Sequence, residues 1–169
     1  MRFTIACLSM LTLLAAGCQR AETPPAPDTT APPADQQVQE PAPTNGAMSF
    51  DVTMTGSAEV PGPGDPDGTG TAKVTLDPAK GEVCYELMVS NVDNANAAHV
   101  HSGGATEAGP PVVNLDPPAQ GSSKGCATVD AKVVTDIQQN PANYYVNVHN
   151  AEFAAGAVRG QLSAGSVSN

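Results

Sequence analysis

Hydrophobic and polar residues alternate in several short runs after residue 48. Every second residue is apolar in 49–55 and again in 82–90, and this period of two is typical of strands with one buried face. Similar runs, separated by turn residues, lie at 70–76, 97–101, 111–115, 125–129, 144–149 and 157–162. About eight short strands at this spacing predict an all-β fold, either an antiparallel β-sandwich or a Greek-key barrel.

Only one stretch of this region has a helical pattern. Residues 131–139 read as one short helical turn that ends at Asn140-Pro141, because proline lacks a backbone donor and restricts the residue before it. The 16 prolines and 16 glycines among 169 residues also argue against a helical bundle. We therefore expect residues 48–169 to form one β domain.

The first residues have the pattern of an export signal. One basic residue, Arg2, precedes an apolar run over 3–16, which is too short to span about 30 Å of hydrocarbon comfortably. The following Leu-Ala-Ala-Gly-Cys resembles the bacterial lipobox, with Ala15 where leucine is more frequent. This resemblance implies that residues 1–17 are a lipoprotein signal peptide and that Cys18 is lipidated; ordinary secretory cleavage is the alternative. By resemblance to sorting rules in enteric bacteria, Gln19 implies outer-membrane anchoring.

A proline- and alanine-rich segment follows. Residues 19–47 contain seven prolines and no aromatic residue, so they cannot bury enough surface to offset the entropy of ordering. We interpret 18–47 as the lipidated cysteine and a disordered tether, which could extend about 90 Å from the bilayer. The expected location is the bacterial cell envelope, with the domain facing the periplasm or the exterior.

The charge of the chain excludes one class of partner. Seventeen acidic against seven basic residues give a formal net charge of -10, and loss of Arg2 with the signal peptide makes the remainder more acidic. There is no basic stripe and little aromatic surface for stacking bases, so we expect no nucleic-acid binding.

Two of the four cysteines remain once Cys7 is removed and Cys18 is lipidated. Cys84 and Cys126 would then mature outside the reducing cytosol, where a disulfide is the expected state. They lack the C-x-x-C spacing of thiol-redox sites, so the predicted role is structural.

The three histidines are the candidate chemistry of the chain. His99 and His101 lie on one face of a predicted strand, and His149 ends another. If these strands are neighbours, three imidazoles converge on a site for Cu(II) or Zn(II). In the alternative without metal, the histidines orient loops by hydrogen bonds to backbone carbonyls or to the carboxylates of Glu107 and Glu152.

Two further side chains are candidates for lining the same site. Arg159 is expected to pair with a carboxylate or to fix the loop 102–109, and a role in guiding a substrate is the alternative. Tyr145 and its neighbour Tyr144 are expected to contribute packing. The chain has no Gly-x-Ser-x-Gly elbow, phosphate-binding loop or dinucleotide fingerprint, so we predict no catalytic residues.

Several longer motifs carry a family resemblance. They are AHVHSGGA at 98–105, GPPVVNL at 109–115, YVNVHN at 145–150 and GAVRGQL at 156–162, with EVP at 59–61, GTA at 70–72 and GEVCYEL at 81–87. Together they resemble the CHRD domain, named for chordin and common in bacterial envelope proteins. The resemblance covers 48–164 and implies an all-β domain. Chordin's growth-factor binding belongs largely to cysteine-rich modules that this chain lacks, so it is not implied.

A fainter similarity is to the Cu,Zn superoxide dismutase fold, in which a His-Val-His strand supplies copper ligands. His99 and His101 match that pair, and Arg159 loosely matches an arginine near the C-terminus. Three histidines cannot furnish the bridging histidine and zinc cluster of that enzyme, Ser-Gly-Gly follows His101, and the acidic domain lacks a positive funnel for superoxide.

The sequence thus favours a noncatalytic, lipid-anchored CHRD-type protein whose histidines bind Cu(II) or Zn(II). A metal-free module that binds an envelope protein or an extracellular polymer is one alternative. A copper-dependent, dismutase-like enzyme is the other.

Overall fold

The computed structural model describes residues 46–163 and 166–167. The predicted signal peptide, the lipidation site Cys18 and the tether up to residue 45 lie outside the described residues. In the described ranges, no helix has the length and apolar composition needed to cross a bilayer.

Strands are the main regular structure of the described chain, as the alternating pattern predicts. Its strands are β1 (Met48–Thr55), β2 (Thr69–Asp77), β3 (Glu82–Ser90), β4 (Ala97–Ser102), β5 (Pro111–Leu115), β6 (Ser122–Thr128), β7 (Tyr144–His149), β8 (Val158–Gln161) and β9 (Ser166–Val167). One α-helix, α1 (Ala131–Gln139), and two 3-10 turns, Gly56–Ala58 and Pro141–Asn143, complete the elements. The all-β prediction with about eight strands is confirmed, with the two-residue β9 as an addition.

One strand differs from the sequence prediction by more than one residue at an end, and the helix has its predicted bounds. β6 begins three residues earlier than expected, at Ser122, because backbone pairing with β3 extends through polar residues that carry no alternation. The predicted helical turn is a helix of nine residues whose N-cap, Asp130, accepts a hydrogen bond from the backbone N–H of Lys132.

The strands form one antiparallel ladder in the order β5-β4-β7-β8-β1-β2-β3-β6, with β9 beside β1. The ladder curls until its two ends approach each other. The phenol of Tyr85 on β3 donates to Asp116, which follows β5, and accepts from the Asp116 backbone N–H, while Ser123 on β6 donates to the Asp116 carbonyl. The result is a nearly closed barrel in which β7, β4, β5 and β6 follow one another as in a Greek key.

The apolar residues of the alternating strands face the interior of the barrel, and their polar neighbours face outward. Phe50, Val52 and Met54 of β1 all point inward, and the other strands contribute in the same way. Val134 and Ile137 of α1 are fully buried against this core. Burial of this apolar surface is the main stabilising contribution to the fold.

The predicted disulfide is present. Cys84 and Cys126 face each other across the β3–β6 pair, with an S–S distance of 2.07 Å. The bond ties the last strand of the ladder to its neighbour.

Much of the outer face of β4, β7 and β8 is covered as well, which is unusual for a barrel exposed to water. All six residues of β7 are buried, although only its alternate residues, Val146 among them, face the core. Three loops cover the other face through hydrogen bonds: 102–110, 150–157 and 56–68. This covered polar layer contains all three histidines.

Candidate metal centre

The three histidines meet on the outer face of the barrel because β4 and β7 are neighbours. The register places Ala97 opposite His149 and His101 opposite Tyr145, so the side chains of His99, His101 and His149 project from the same side. Their ring centroids are 5.0–5.7 Å apart. One nitrogen from each ring lies within 4.8 Å of the others.

His101 has one nitrogen fixed and one free. Its Nδ1 lies 2.9 Å from the carbonyl oxygen of Gly109. Because a carbonyl only accepts, this nitrogen carries the proton and Nε2 carries the lone pair. That Nε2 is buried without any hydrogen-bond partner.

His149 is held in the same manner. Its Nδ1 lies 3.2 Å from the carbonyl oxygen of Ala154, which leaves Nε2 as the unprotonated nitrogen of the neutral ring. That Nε2 lies 3.1 Å from Nδ1 of His99, so His99 must donate the hydrogen bond between them.

His99 is the least constrained of the three. It is partly exposed, whereas the other two are each 8% exposed. Its hydrogen bond within the described ranges is the one to His149, and no backbone carbonyl fixes its second nitrogen. His101 and His149 are therefore preorganised, and His99 can rotate toward them.

Burial keeps all three rings neutral. It lowers the pKa of His99 and His101, and it lowers the pKa of His149 to about 4, assisted by the neighbouring His99 and His101. Neutral imidazole is the form that binds metal ions, so protons do not compete at neutral pH.

The distances match what a metal ion requires. Two nitrogens bound tetrahedrally at 2.0–2.1 Å from one ion lie about 3.3 Å apart, close to the 3.1 Å between Nδ1 of His99 and Nε2 of His149. His99 can bind through this Nδ1 once its proton has moved to Nε2 of the same ring. A nitrogen of His101 lies within 4.8 Å of the other two, so the three must draw closer to bind one ion. The hydrogen bonds from His101 and His149 to carbonyls are also the usual way in which ligating histidines are oriented.

Tyr145 and Arg159 form a stack beside His101. The Tyr145 ring lies nearly parallel to the His101 ring, with centroids 4.9 Å apart. The guanidinium of Arg159, on β8, lies 3.5 Å from the Tyr145 ring centroid. Arg159 Nη2 donates to the carbonyl of Gly104 at 2.6 Å. The arginine side chain, 2% exposed, therefore holds the covering loop and is not open to solvent.

A second polar pair, which was not predicted from the sequence, lies in this layer. Asn147, between Tyr145 and His149 on the same face of β7, donates to Glu59 Oε2 at 3.1 Å. Burial raises the pKa of Glu59 to about 7, although the hydrogen bond from Asn147 and the charge of Arg159 oppose the change. The period of two could have indicated Asn147. Glu59 lies 88 residues away in the 56–68 loop, and the EVP motif at 59–61 indicated only the family resemblance.

The expected carboxylate partners of the histidines lie elsewhere. Glu107 accepts from the backbone N–H of Gly104 at 3.3 Å, and Glu152 is exposed. The ring nitrogens of His101 and His149 instead form hydrogen bonds with the backbone carbonyls of Gly109 and Ala154. Such bonds to backbone carbonyls were the other contact expected of these histidines.

A second group with ligand-type side chains has different chemistry. Glu82, Cys84 and Cys126 lie close together, but the two sulfur atoms are joined in the disulfide. Among the described residues, the histidine group is thus the cluster with free ligand atoms.

Comparison with known proteins gives one family. No curated protein and no solved structure matches the chain. The family model of the CHRD domain matches residues 50–162. This range begins two residues inside β1, contains β2 to β8 and includes all three histidines. The chain therefore belongs to the CHRD domain family.

Proposed function

We propose that this CHRD domain binds one Cu(II) or Zn(II) ion through His99, His101 and His149, for storage, delivery or structural closure and without catalysis. The observation that carries the proposal is the Nε2 of His101, which is buried, unprotonated and without a partner. Leaving such a group unsatisfied costs about 1–3 kcal/mol. A metal ion bound to this nitrogen would remove that cost.

The ligand set favours copper over zinc. The cluster offers imidazole nitrogens only; within the described ranges it includes neither a thiolate nor a carboxylate. Imidazole suits both ions, and Cu(II) is bound more tightly by a given set of nitrogen ligands.

We also propose that the domain works at the bacterial cell envelope. The lipobox-like sequence at Cys18 would anchor it to a membrane, most simply the outer membrane, with residues 18–47 as a tether into the periplasm or the exterior. The Cys84–Cys126 disulfide fits an oxidising compartment. Replacing Cys18 with Ala should move the protein from the membrane fraction to the soluble fraction, and an unchanged distribution would contradict lipid anchoring.

Metal titration tests the proposed site. The full chain, stripped with a chelator, should bind one Cu(II) or Zn(II) in calorimetry, with an increase in melting temperature. His99→Ala is the most informative variant, because His99 is partly exposed and its removal leaves both backbone anchors intact. Loss of a ligand should weaken binding by more than the roughly 10- to 100-fold typical of outer-shell changes.

A matched control separates the two candidate groups. Glu82→Gln removes the acid of the disulfide group and should leave metal affinity unchanged. If His99→Ala binds as tightly as the unmodified protein, or if neither metal binds, the proposed site is wrong. The histidines would then act only in orienting loops, and envelope proteins or extracellular polymers would become the partners to test.

A further inference from the structure

The histidine centre supplies three ligands where a tetrahedral ion takes four. Two acids of the covering loops, Glu59 and Glu107, are hydrogen-bonded to Asn147 and to the Gly104 backbone respectively. Neither belongs to the cluster of ligand atoms, which among the described residues consists of three imidazoles. Metal sites with three protein ligands keep the fourth position for water or an exchangeable molecule.

The cluster reaches solvent on one side. His101 and His149 are each 8% exposed and are enclosed by the loops whose carbonyls, at Gly109 and Ala154, bond to their rings. His99 is partly exposed and has no such anchor. An entering molecule therefore reaches the ion beside His99.

The charge of the site determines what kind of molecule fits. Three imidazoles bind as neutral groups, so a divalent ion would keep both of its charges in a largely buried place. Arg159, 2% exposed and stacked on the Tyr145 ring that covers His101, adds positive charge to the same layer. Buried charge is stable when it is paired, and a small anion supplies the missing pairing.

We propose that the ion bound by His99, His101 and His149 keeps an exchangeable fourth position on the His99 side, and that this position takes a small monoanion such as azide or a halide. The inference rests on the proposed metal site. It gives the centre a ligand that no residue of the described chain provides.

Azide is the probe for this position. Full-length protein loaded with one Cu(II) is titrated with sodium azide and followed by optical absorption and electron paramagnetic resonance. A new azide-to-copper absorption band should rise and saturate at one azide per copper, with a matching change in the copper resonance. Copper content after desalting should remain one per chain, and the Glu82→Gln protein should respond identically.

The outcomes distinguish this inference from the proposed function. If copper binds one-to-one but saturating azide leaves both spectra unchanged, the fourth position is closed and the inference is wrong while the metal site stands. If azide extracts the copper and forms no complex on the protein, the inference is also overturned. If calorimetry detects no copper binding, the proposed function fails and the inference fails with it.

Discussion

Replacing Glu59 with Gln should make the stability of the domain less dependent on pH. In the folded protein, burial raises the pKa of this carboxyl to about 7 from an ordinary value of 4.5. Between these values the folded state holds a proton that the unfolded chain has lost. The stability contributed by Glu59 is thus complete below about pH 4.5 and is lost as the pH rises through 7.

The size of the effect follows from the pKa change. A difference of this size corresponds to at most about 3.4 kcal/mol, and the effective dielectric constant of about 20 that applies even at buried sites reduces the expected effect to about 1–2 kcal/mol. Glutamine mimics the protonated acid and can still accept the hydrogen bond from Asn147. We therefore expect Glu59→Gln to be nearly equal to the unmodified protein at pH 5 and about 1–2 kcal/mol more stable at pH 8.

The assay is urea unfolding of both proteins, metal-stripped and with the disulfide intact, from pH 5 to pH 8. The histidines act in the opposite direction, since the lowered pKa of His149, about 4, means that its contribution is present above about pH 6.5 and lost as the pH falls. This contribution is common to both proteins and cancels in their difference. The exposed Glu107, replaced with Gln, serves as the control.

A difference in unfolding free energy that stays constant from pH 5 to pH 8 would refute the reasoning, because it would mean that Glu59 is ionised in the folded protein throughout this range. A Glu59→Gln protein that is less stable at pH 8 would do the same. It would show that the charge pairing with Arg159 outweighs burial.

Three further predictions follow from the same geometry. Metal binding at pH 7.5 should release almost no protons. The neutral rings of His101 and His149 already present unprotonated nitrogens, and neutral His99 can move its proton from Nδ1 to Nε2 without releasing it. Calorimetry in two buffers of different ionisation enthalpy measures this, and release of about one proton per ion would contradict it. Gly109→Ala should destabilise the domain by more than about 2 kcal/mol and weaken metal binding. The added Cβ would lie 1.5 Å from the Ser102 carbonyl oxygen and would displace the Gly109 carbonyl that anchors His101. Thermal melts and metal titration test the two effects, and unchanged values would disprove them. Tyr85→Phe should cost about 1–2 kcal/mol through the lost hydrogen bonds to Asp116, and an unchanged urea midpoint would show that these bonds contribute nothing.

The fold class was readable from the sequence because its signals are local. The alternation in β1 and β3 and the turn residues between strands are patterns among residues close together in the sequence. They locate each strand, and the order of the elements along the chain follows from their positions. Which strands pair is a nonlocal property. The β3–β6 pair was indicated only by the cysteines at 84 and 126, and the polar start of β6 at Ser122 carried no signal at all.

The candidate site was predictable to the extent that it lies on single strands. His99 and His101 share a face by the period of two, but their meeting with His149 depends on the β4–β7 pairing. The carbonyls of Gly109 and Ala154 that orient the rings come from loop backbone, where any residue type supplies the same oxygen. Side-chain patterns therefore could not reveal them.

The seam where the ladder ends meet has a consequence for association between copies. β5 and β6 each lack a strand partner on one side, and such an edge is a template for pairing with another chain. Here the two edges face each other, and Asp116 links them through Tyr85 and Ser123. Each edge strand of the barrel thus covers the other and keeps it from pairing with a second chain. If these contacts were lost, strand exchange and aggregation between copies would begin at β5 and β6.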